Sequence, residues 1–325
     1  MFTRSIVAAM AAAVALAHGG AASAQAAASF PSKAITVIVP ASPGGAIDLV
    51  ARLTGPEITK DWGKPVVIDN KAGATGVVGT QFVAHAAPDG HTLLLVSSAH
   101  AINPVMFKQL PYDTVKGFEP VILTHVVPLV LVVNPNLPVK SVKELIAYGK
   151  ANPGKLTFAS SGLGGAPHMS GELFKSMAGI EMTHVPYKGS TAAHPDLIGG
   201  QVSVMFDTLA AVQPHIKSGA VRALAVTTAK RVPGVDLPTM AEAGLPGYET
   251  STWGAVFAPA KTPKDVVAKL NAEYNKALAT PEVKKKLEEA GIQPAGGTPQ
   301  QLADFQRSEM AKWAKVAHDA KIQPE

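Results

Sequence analysis

Hydrophobic residues along this chain follow two alternating spacings, one typical of buried strands and the other of amphipathic helices. Residues 34–39 form an apolar run that ends at Pro40, which predicts a strand. In the next segment, residues 46–58, apolar side chains recur three and four positions apart, which predicts a helix. Further strands are predicted at residues 65–68, 92–96, 129–133, 156–159, 182–185, 202–206 and 221–226.

Helical spacing returns between these strands and dominates the end of the chain. Ser141 precedes one such segment and is a residue type preferred at a helix N-cap. The predicted helices are residues 76–87, 142–152, 167–177, 192–197, 264–278, 281–290 and 299–317. Strands that alternate with helices are typical of an α/β protein in which helices cover parallel sheets.

The first 24 residues have the pattern of a secretory signal peptide. Arg4 is their only charge, residues 5–17 are apolar, and Ala22-Ser23-Ala24 is a small-x-small cleavage site. The alternative, a membrane anchor, is disfavoured because the apolar run is too short to span the roughly 30 Å of a bilayer core. We therefore expect export to the periplasm with cleavage after Ala24.

The mature chain is too long for one hydrophobic core, which predicts two lobes. It contains no cysteine, so these lobes must be stable without disulfides. Two apolar segments, residues 126–133 and 253–258, each precede a proline-marked turn and are interpreted as strands that cross between the lobes. We predict that lobe 1 is residues 30–132 plus 252–325 and that lobe 2 is residues 133–251.

Charge and composition argue against nucleic acid as a partner. The net charge is +5, but only 16% of residues are charged and 6% are aromatic. The lysines are scattered, apart from Lys284-Lys285-Lys286 on a helix that also carries Glu288 and Glu289. A mild attraction for small anions is the more useful interpretation of this balance.

Ligands of open α/β sheets bind beyond the carboxyl ends of the strands, so the loops there are the candidate sites. The first loop, residues 40–45, is rich in glycine and leads into a helix, an arrangement that suits an anion or serves only as a tight turn. The second loop, residues 70–76, has a GxxGxxG spacing that differs from the dinucleotide motif and indicates a backbone anion nest. No glycine run ends in Gly-Lys-Ser/Thr, which excludes a P-loop. Candidate residues here and after the third strand are Ser42, Gly44, Gly45, Asp48, Ala74, Thr75 and Ser98.

The third and fourth loops follow strands in the second half of the chain. The third, residues 160–165, offers hydroxyls and backbone N–H groups to a carboxylate. Two other interpretations are a nucleophilic Ser161 with His168 as base, although no G-x-S-x-G elbow is present, and a His168–Glu172 metal pair, which is two ligands short of a zinc site. In the fourth, residues 186–191, the hydroxyls and nearby Asp207 either bind ligand or cap local turns. The candidates are Ser160, Ser161, Gly164, His168, Lys188, Gly189, Ser190, Thr191 and Asp207.

Arginine is scarce in this chain and absent from all four loops. Its five positions are Arg4, Arg52, Arg222, Arg231 and Arg307. A bound carboxylate would therefore be held mainly by backbone N–H groups, hydroxyls and water.

Several motifs, in this order, resemble the substrate-binding subunits of tripartite tricarboxylate transporters, the Bug family. They include the first loop with Asp48 and Arg52, the Pro-Asp-Gly turn of residues 88–90, the third loop with His168, residues 184–189 (HVPYKG) and residues 238–244 (PTMAEAG). The resemblance implies a type II periplasmic binding protein fold with two lobes that close on a di- or tricarboxylate, an acidic amino acid or an aromatic acid. It also implies membrane permease subunits as partners. We expect no enzymatic activity, cofactor or metal, and a monomer.

Three positions depart from the family pattern. Ile47 makes the rim of the first loop more apolar, Met169 is a conservative change, and His194 is interpreted as a solvated helix residue. Two alternatives to the transport function are a secreted serine hydrolase that uses Ser161, His168 and Asp207, and a sensory module that presents its ligand to a membrane receptor.

Overall fold

The structure is a computed structural model that describes residues 30–324, so the predicted signal peptide lies outside the described residues. The strands are β1 (Ile35–Val39), β2 (Val66–Asn70), β3 (Thr92–Ser97), β4 (Phe118–Val133), β5 (Leu156–Ser160), β6 (Met182–Pro186), β7 (Val204–Thr208), β8 (Arg222–Val226), β9 (Ser251–Pro259) and β10 (Gln293–Pro294). The helices are α1 (Ala46–Trp62), α2 (Val77–Ala84), α3 (Ala99–Met106), α4 (Val142–Ala151), α5 (Ala166–Ala178), α6 (Ser190–Gly199), α7 (Leu209–Lys217), α8 (Lys264–Ala279), α9 (Pro281–Glu289) and α10 (Pro299–Asp319).

The strands form two sheets that share the long strand β4. In the first sheet the order is β2-β1-β3-β9-β4, with β10 on the other side of β4, and in the second it is β4-β7-β5-β6, with β8 beside β4. Strand β4 pairs with β9 from Phe118 to Pro128, with β7 from Leu129 to Val133 and with β8 from Val130 to Val133. The predicted α/β fold of two lobes joined by crossing strands is thus confirmed, while the exact lobe limits stay a prediction.

Strand directions place the carboxyl ends of the two sheets opposite each other. Strands β1, β2 and β3 run antiparallel to β9, which runs antiparallel to β4, so they point along β4 toward the second lobe. Strand β7 is antiparallel to β4 and parallel to β5 and β6, so these three point toward the first lobe. The edges at which ligands bind in such sheets therefore face each other across the crossing point of β4.

Each lobe buries apolar residues on both faces of its sheet. In the first lobe, α1 and α8 cover one face and α3 and α10 cover the other, where Trp253 and Trp313 are fully buried. In the second lobe, Phe158, Phe174 and Phe206 form one core, and residues of α6 and α7 cover the opposite face. Burial on this scale provides the stability that the chain must reach without disulfides.

Helix α5 belongs to the second lobe but also contacts the first. Its Met169 lies in the apolar cluster of Met106 and Trp253. The two lobes are therefore in contact along α5 as well as through the crossing strands.

Two helices, α3 and α7, were not predicted from the sequence. Each begins directly after a strand and contains a proline, Pro104 or Pro214, so the helical spacing is short and interrupted. Strand β7 begins and ends two residues later than expected, which places Asp207 within the strand and not just after it. None of the helices in residues 30–324 is both long enough and apolar enough to cross a membrane.

Candidate ligand-binding site

The predicted site residues lie at the two facing edges of the sheets. In the first lobe, the first loop follows β1, the second follows β2 and Ser98 follows β3. In the second lobe, the third loop follows β5, the fourth follows β6 and Asp207 is the penultimate residue of β7. The edges thus bring the two halves of the candidate site opposite each other.

A cavity of about 320 Å³ lies at the edge of the first lobe. Its walls are Pro40, Ala41, residues 72–76 of the second loop, and residues at the end of β3 and the start of α3. Ala74 and Thr75 line it, but Ser42, Gly44, Gly45 and Ser98 do not, and no described residue of the second lobe does. Ser98 is buried and its hydroxyl lies 3.1 Å from Thr252 Oγ1.

The cavity is electrically neutral. None of the described residues that line it is acidic, lysine or arginine. His100 does line it, and its burial lowers the pKa of the imidazole to about 4, so the ring is uncharged at pH 7. The polar groups that this half-site offers a ligand are therefore backbone amides and uncharged side chains.

The second loop has a strained backbone beside this cavity. Ala74 (φ 45°) and Thr75 (φ 52°) both adopt the left-handed conformation, which is uncommon for residues other than glycine. Asn103 Nδ2 donates a hydrogen bond to the carbonyl oxygen of Thr75 at 3.1 Å. In the helix that follows, a Cβ at Gly79 would lie 2.8 Å from Lys71 O and from Pro40 Cβ, so α2 packs tightly against both the second and the first loop. Strain held in place by such contacts is typical of binding sites.

Asp48 links the first loop to Asn70, the last residue of β2, where the second loop begins. Its Oδ2 accepts hydrogen bonds from Gly44 N and Arg52 Nε, both at 2.9 Å, and its Oδ1 accepts one from Asn70 Nδ2 at 3.0 Å. The Arg52 guanidinium is the largest of the causes that lower the pKa of this buried carboxyl to about 2. Both oxygens of Asp48 thus bond within the protein, where they fix the shape of the first loop.

We expect Asp48→Ala to lower the free energy of unfolding by about 1–3 kcal/mol, because it leaves Gly44, Arg52 and Asn70 without their acceptor. Since the folded-state pKa lies below the ordinary 3.8, the contribution is present above about pH 4 and is lost as the pH falls toward 2. Urea unfolding at pH 7 and pH 3 measures both effects. Asp304→Ala is the matched control, since Asp304 and Arg307 form an exposed helical pair. Equal losses in the two variants at pH 7 would contradict the assignment.

The third loop is fixed by two histidines. Ser160 is buried, and its Oγ lies 2.7 Å from His184 Nε2 and 2.9 Å from the carbonyl oxygen of Gly162. The backbone N–H of Gly164 donates to His168 Nδ1 at 3.2 Å. His168 is 5% exposed. No local pattern indicated this role for His184, because its partner lies 24 residues away on another strand.

The fourth loop is fixed by Asp207, which is fully buried. Its Oδ1 accepts from Ser190 Oγ (2.6 Å) and from the backbone N–H of Thr208 (2.7 Å), and its Oδ2 lies 2.7 Å from His194 Nε2. The interpretation of His194 as a solvated residue was wrong, since it is 5% exposed. Helix α6 begins at Ser190, two residues earlier than predicted, and His194 lies on its buried side opposite β7.

The third and fourth loops are in contact with each other, but they do not form a hydrolase triad. The backbone N–H of Gly189 donates to the carbonyl oxygen of Ser161 at 3.2 Å. Asp207 pairs with His194 and not with His168, so Ser161, His168 and Asp207 do not assemble as a triad. Lys188 and Thr191 are exposed. Among residues 30–324 no cluster of three or more His, Asp or Glu side chains could hold a metal ion.

A larger groove, of about 1440 Å³, lies between α7 and the 228–235 loop on one side and α8, α9 and β10 on the other. None of the predicted site residues lines it. We therefore place the candidate site at the facing strand ends and not in this larger groove.

Two α/β lobes that present amide-rich loops at facing strand ends define a solute-binding protein of the type II periplasmic fold. A model described as tripartite tricarboxylate transporter family receptor matches residues 50–322, so the chain belongs to that family. The family is one of substrate-binding receptors and not of enzymes, which sets the hydrolase alternative aside.

Three known proteins illustrate the relationship. BugT of Bordetella pertussis is 40% identical over 295 residues, which cover 89% of this chain and 90% of that protein. The structure of R. palustris Rpa4515 with adipate is 41% identical, with a TM-score of 0.79, and the match covers 91% of this chain and 100% of that one. MatC from Rhodopseudomonas palustris with bound malate is 36% identical, with a TM-score of 0.74, and covers 88% and 99% of the two chains.

Proposed function

We propose that this protein captures a small carboxylate between its two lobes in the periplasm and delivers it to the permease subunits of a tripartite tricarboxylate transporter. The observation that carries the proposal is the position of four amide-rich loops on facing strand ends, with a neutral cavity beside the loops of the first lobe. Export by a signal peptide cleaved after Ala24 and a monomeric state belong to the same proposal.

The chemistry of the loops favours a carboxylate over a neutral solute. Helices α1, α5 and α6 begin at the first, third and fourth loops, so their N-terminal N–H groups and dipoles favour negative charge there. Lys188 is the only lysine or arginine among the predicted contacts. Two similar structures were determined with dicarboxylates, adipate and malate.

The loops of the two lobes differ, so each lobe would contact a different part of the ligand. In the first lobe, Ala74 and Thr75 border a cavity with no charged wall, which suits the carbon chain or ring of an organic acid. In the second lobe, the third and fourth loops offer the hydroxyls of Ser161 and Thr191 and the ammonium group of Lys188, whereas the Ser190 hydroxyl is bonded to Asp207. The ligand would thus be buried only when both edges approach it, which couples capture to lobe closure.

The binding test uses mature protein, refolded to remove any carried ligand, and a panel of adipate, malate, citrate, aspartate and benzoate with glucose as neutral control. A ligand at 100 times its Kd adds about 2.7 kcal/mol of stability, which raises the Tm of a protein of this size by about 4 °C. We expect such a shift with one or more of the acids. A shift with glucose alone, or none with the whole panel, would refute the carboxylate assignment.

A variant that fills the cavity tests its place in the site. We expect Ala99→Leu to weaken binding of the preferred acid at least tenfold, because Ala99 lines the cavity at the start of α3 and a larger side chain occupies that space. Ala314→Leu is the matched control, since Ala314 is exposed in the middle of α10. Titration calorimetry compares the two. Unchanged affinity in Ala99→Leu would place the ligand elsewhere.

A further inference from the structure

Three aromatic rings pack together beneath the third loop. The ring of His168, in the first turn of α5, stacks on the ring of His184, in the middle of β6, with centroids 4.1 Å apart. Phe158 of β5 stacks on His184 at 4.7 Å. Because His168 is almost fully buried and its Nδ1 is bonded to the loop backbone, its position does not suit direct contact with a ligand.

Each histidine bonds to one end of the third loop. His168 Nδ1 accepts the N–H of Gly164, so the neutral ring carries its proton on Nε2. The hydroxyl of Ser160 has a single hydrogen but lies close to both His184 Nε2 and the carbonyl of Gly162. Both contacts are satisfied at once when His184 Nε2–H donates to Ser160 Oγ and the hydroxyl donates to the carbonyl.

The loop between these anchors needs external support. Gly162 (φ 142°) and Gly164 (φ 70°) both have backbone angles that favour glycine, and Leu163 between them is 52% exposed. Glycine also has the largest conformational freedom to lose when a loop becomes ordered. The two anchoring hydrogen bonds therefore fix a segment that local sequence leaves free.

We propose that His168 and His184 are positioning residues, which hold the backbone N–H groups of the third loop in the geometry that receives the anionic group of the ligand. They act through the loop and do not touch the ligand. The part that concerns the ligand rests on the proposed function; the part that concerns the loop stands independently of it.

The surroundings of the pair keep both rings neutral. His168 faces His184 and Glu172, whose Oε1 lies 3.9 Å from His168 Nε2, and Lys175 binds Glu172 and lies over the Phe158 ring. Burial is the main cause that lowers the pKa of His168 to about 4 and of His184 to about 3, assisted by the positive charge of Lys175. Protonation of His168 at Nδ1 would turn the acceptor into a donor opposite the Gly164 N–H and break that anchor.

Two replacements of His168 distinguish the contribution of ring stacking from that of the hydrogen-bond acceptor Nδ1. His168→Phe keeps a stacking ring and removes the acceptor, whereas the Oδ1 of His168→Asn takes a position close to that of Nδ1 and preserves it. Without ligand, we expect the Gly164 amide to exchange its hydrogen at least tenfold faster in His168→Phe than in the wild type, and close to the wild-type rate in His168→Asn. His85→Phe, at an exposed histidine, is the control. Equal exchange rates in all four proteins at pH 7 would overturn the positioning role.

Adipate is the probe for the ligand-binding part of the proposal. By calorimetry at pH 7 we expect at least tenfold weaker binding to His168→Phe, and recovery to within threefold of the wild type in His168→Asn. Wild-type affinity in His168→Phe would overturn the claim that the loop geometry serves the ligand. If adipate does not bind the wild type, the choice of ligand fails, and the exchange rates still decide whether the histidines fix the loop.

Discussion

Lowering the pH from 7 to 5 is expected to reduce the free energy of unfolding by several kcal/mol. Burial lowers the pKa of His100, His125 and His168 to about 4 and that of His184 to about 3, well below the ordinary 6.5. As the pH falls below 6.5 the unfolded chain therefore binds protons that the folded protein does not bind. The contribution of these neutral histidines to the free energy of unfolding is fully present above about pH 6.5. It is lost as the pH falls from 6.5 to about 4.

Glu273 changes the free energy of unfolding with pH in the opposite direction to the histidines. Burial, together with Asp61, raises the pKa of Glu273 to about 7, so the folded protein takes up this proton before the unfolded chain does. The net difference is thus up to three protons, four from the histidines less one from Glu273. Three protons correspond to a slope of about 4 kcal/mol per pH unit. Asp48 does not contribute in this window, because its effect begins below about pH 4.

Urea unfolding at pH 7, 6 and 5 measures this slope. His100→Phe provides the sharpest variant, because a phenyl ring can replace the imidazole among Tyr112, Phe118 and Phe257 without a titrating group. We expect its slope to be smaller by about 1.4 kcal/mol per pH unit. His318→Gln, at a histidine whose side chain is 90% exposed, is expected to keep the wild-type slope. A wild-type protein whose stability is constant over this range would contradict the prediction.

The spacing of apolar residues was sufficient to predict most strands and the long helices, because an element that buries one whole face must place apolar residues at regular intervals. It also located the strand that joins the lobes. Thr124 and His125 are polar and lie just before the predicted crossing segment, residues 126–133, yet both are buried within β4. They fit because the hydroxyl of Thr124 donates to the carbonyl of Gly254 on β9 and lies 2.9 Å from His125 Nδ1.

The sequence could not reveal contacts between elements that are far apart in the chain. Whether His194 is solvated depends on which side of α6 meets the sheet, and its partner Asp207 lies on a different strand. The same holds for His184, whose role depends on a ring from α5. Loop composition could therefore indicate where an anion is bound, but not which side chains hold the loops in shape.

The largest single-residue effect on stability is expected at Trp253, in the strand that returns from the second lobe to the first. Its side chain is fully buried, and its indole N–H donates to Glu309 Oε2 of α10 at 2.9 Å. Trp313 donates to the same oxygen at 3.2 Å, and Phe305 packs edge-on against Trp253 with ring centroids 5.3 Å apart. Trp253 thus attaches a crossing strand to the last helix through both packing and a hydrogen bond.

Trp253→Ala is expected to lower the free energy of unfolding by about 3–5 kcal/mol, because it removes a buried indole and leaves a cavity. Trp253→Phe retains most of the ring but loses the bond to Glu309, for which we expect about 1–3 kcal/mol. Urea unfolding at pH 7 compares both with Trp62→Ala, at a partly exposed tryptophan, where the loss should be smaller. If Trp253→Phe and Trp253→Ala lower the free energy of unfolding equally, the hydrogen bond to Glu309 is the dominant contribution. If neither variant lowers it more than Trp62→Ala does, Trp253 does not attach the strand to α10. The first outcome would make the buried carboxylate, and not the packed ring, the main link between the crossing strand and the last helix.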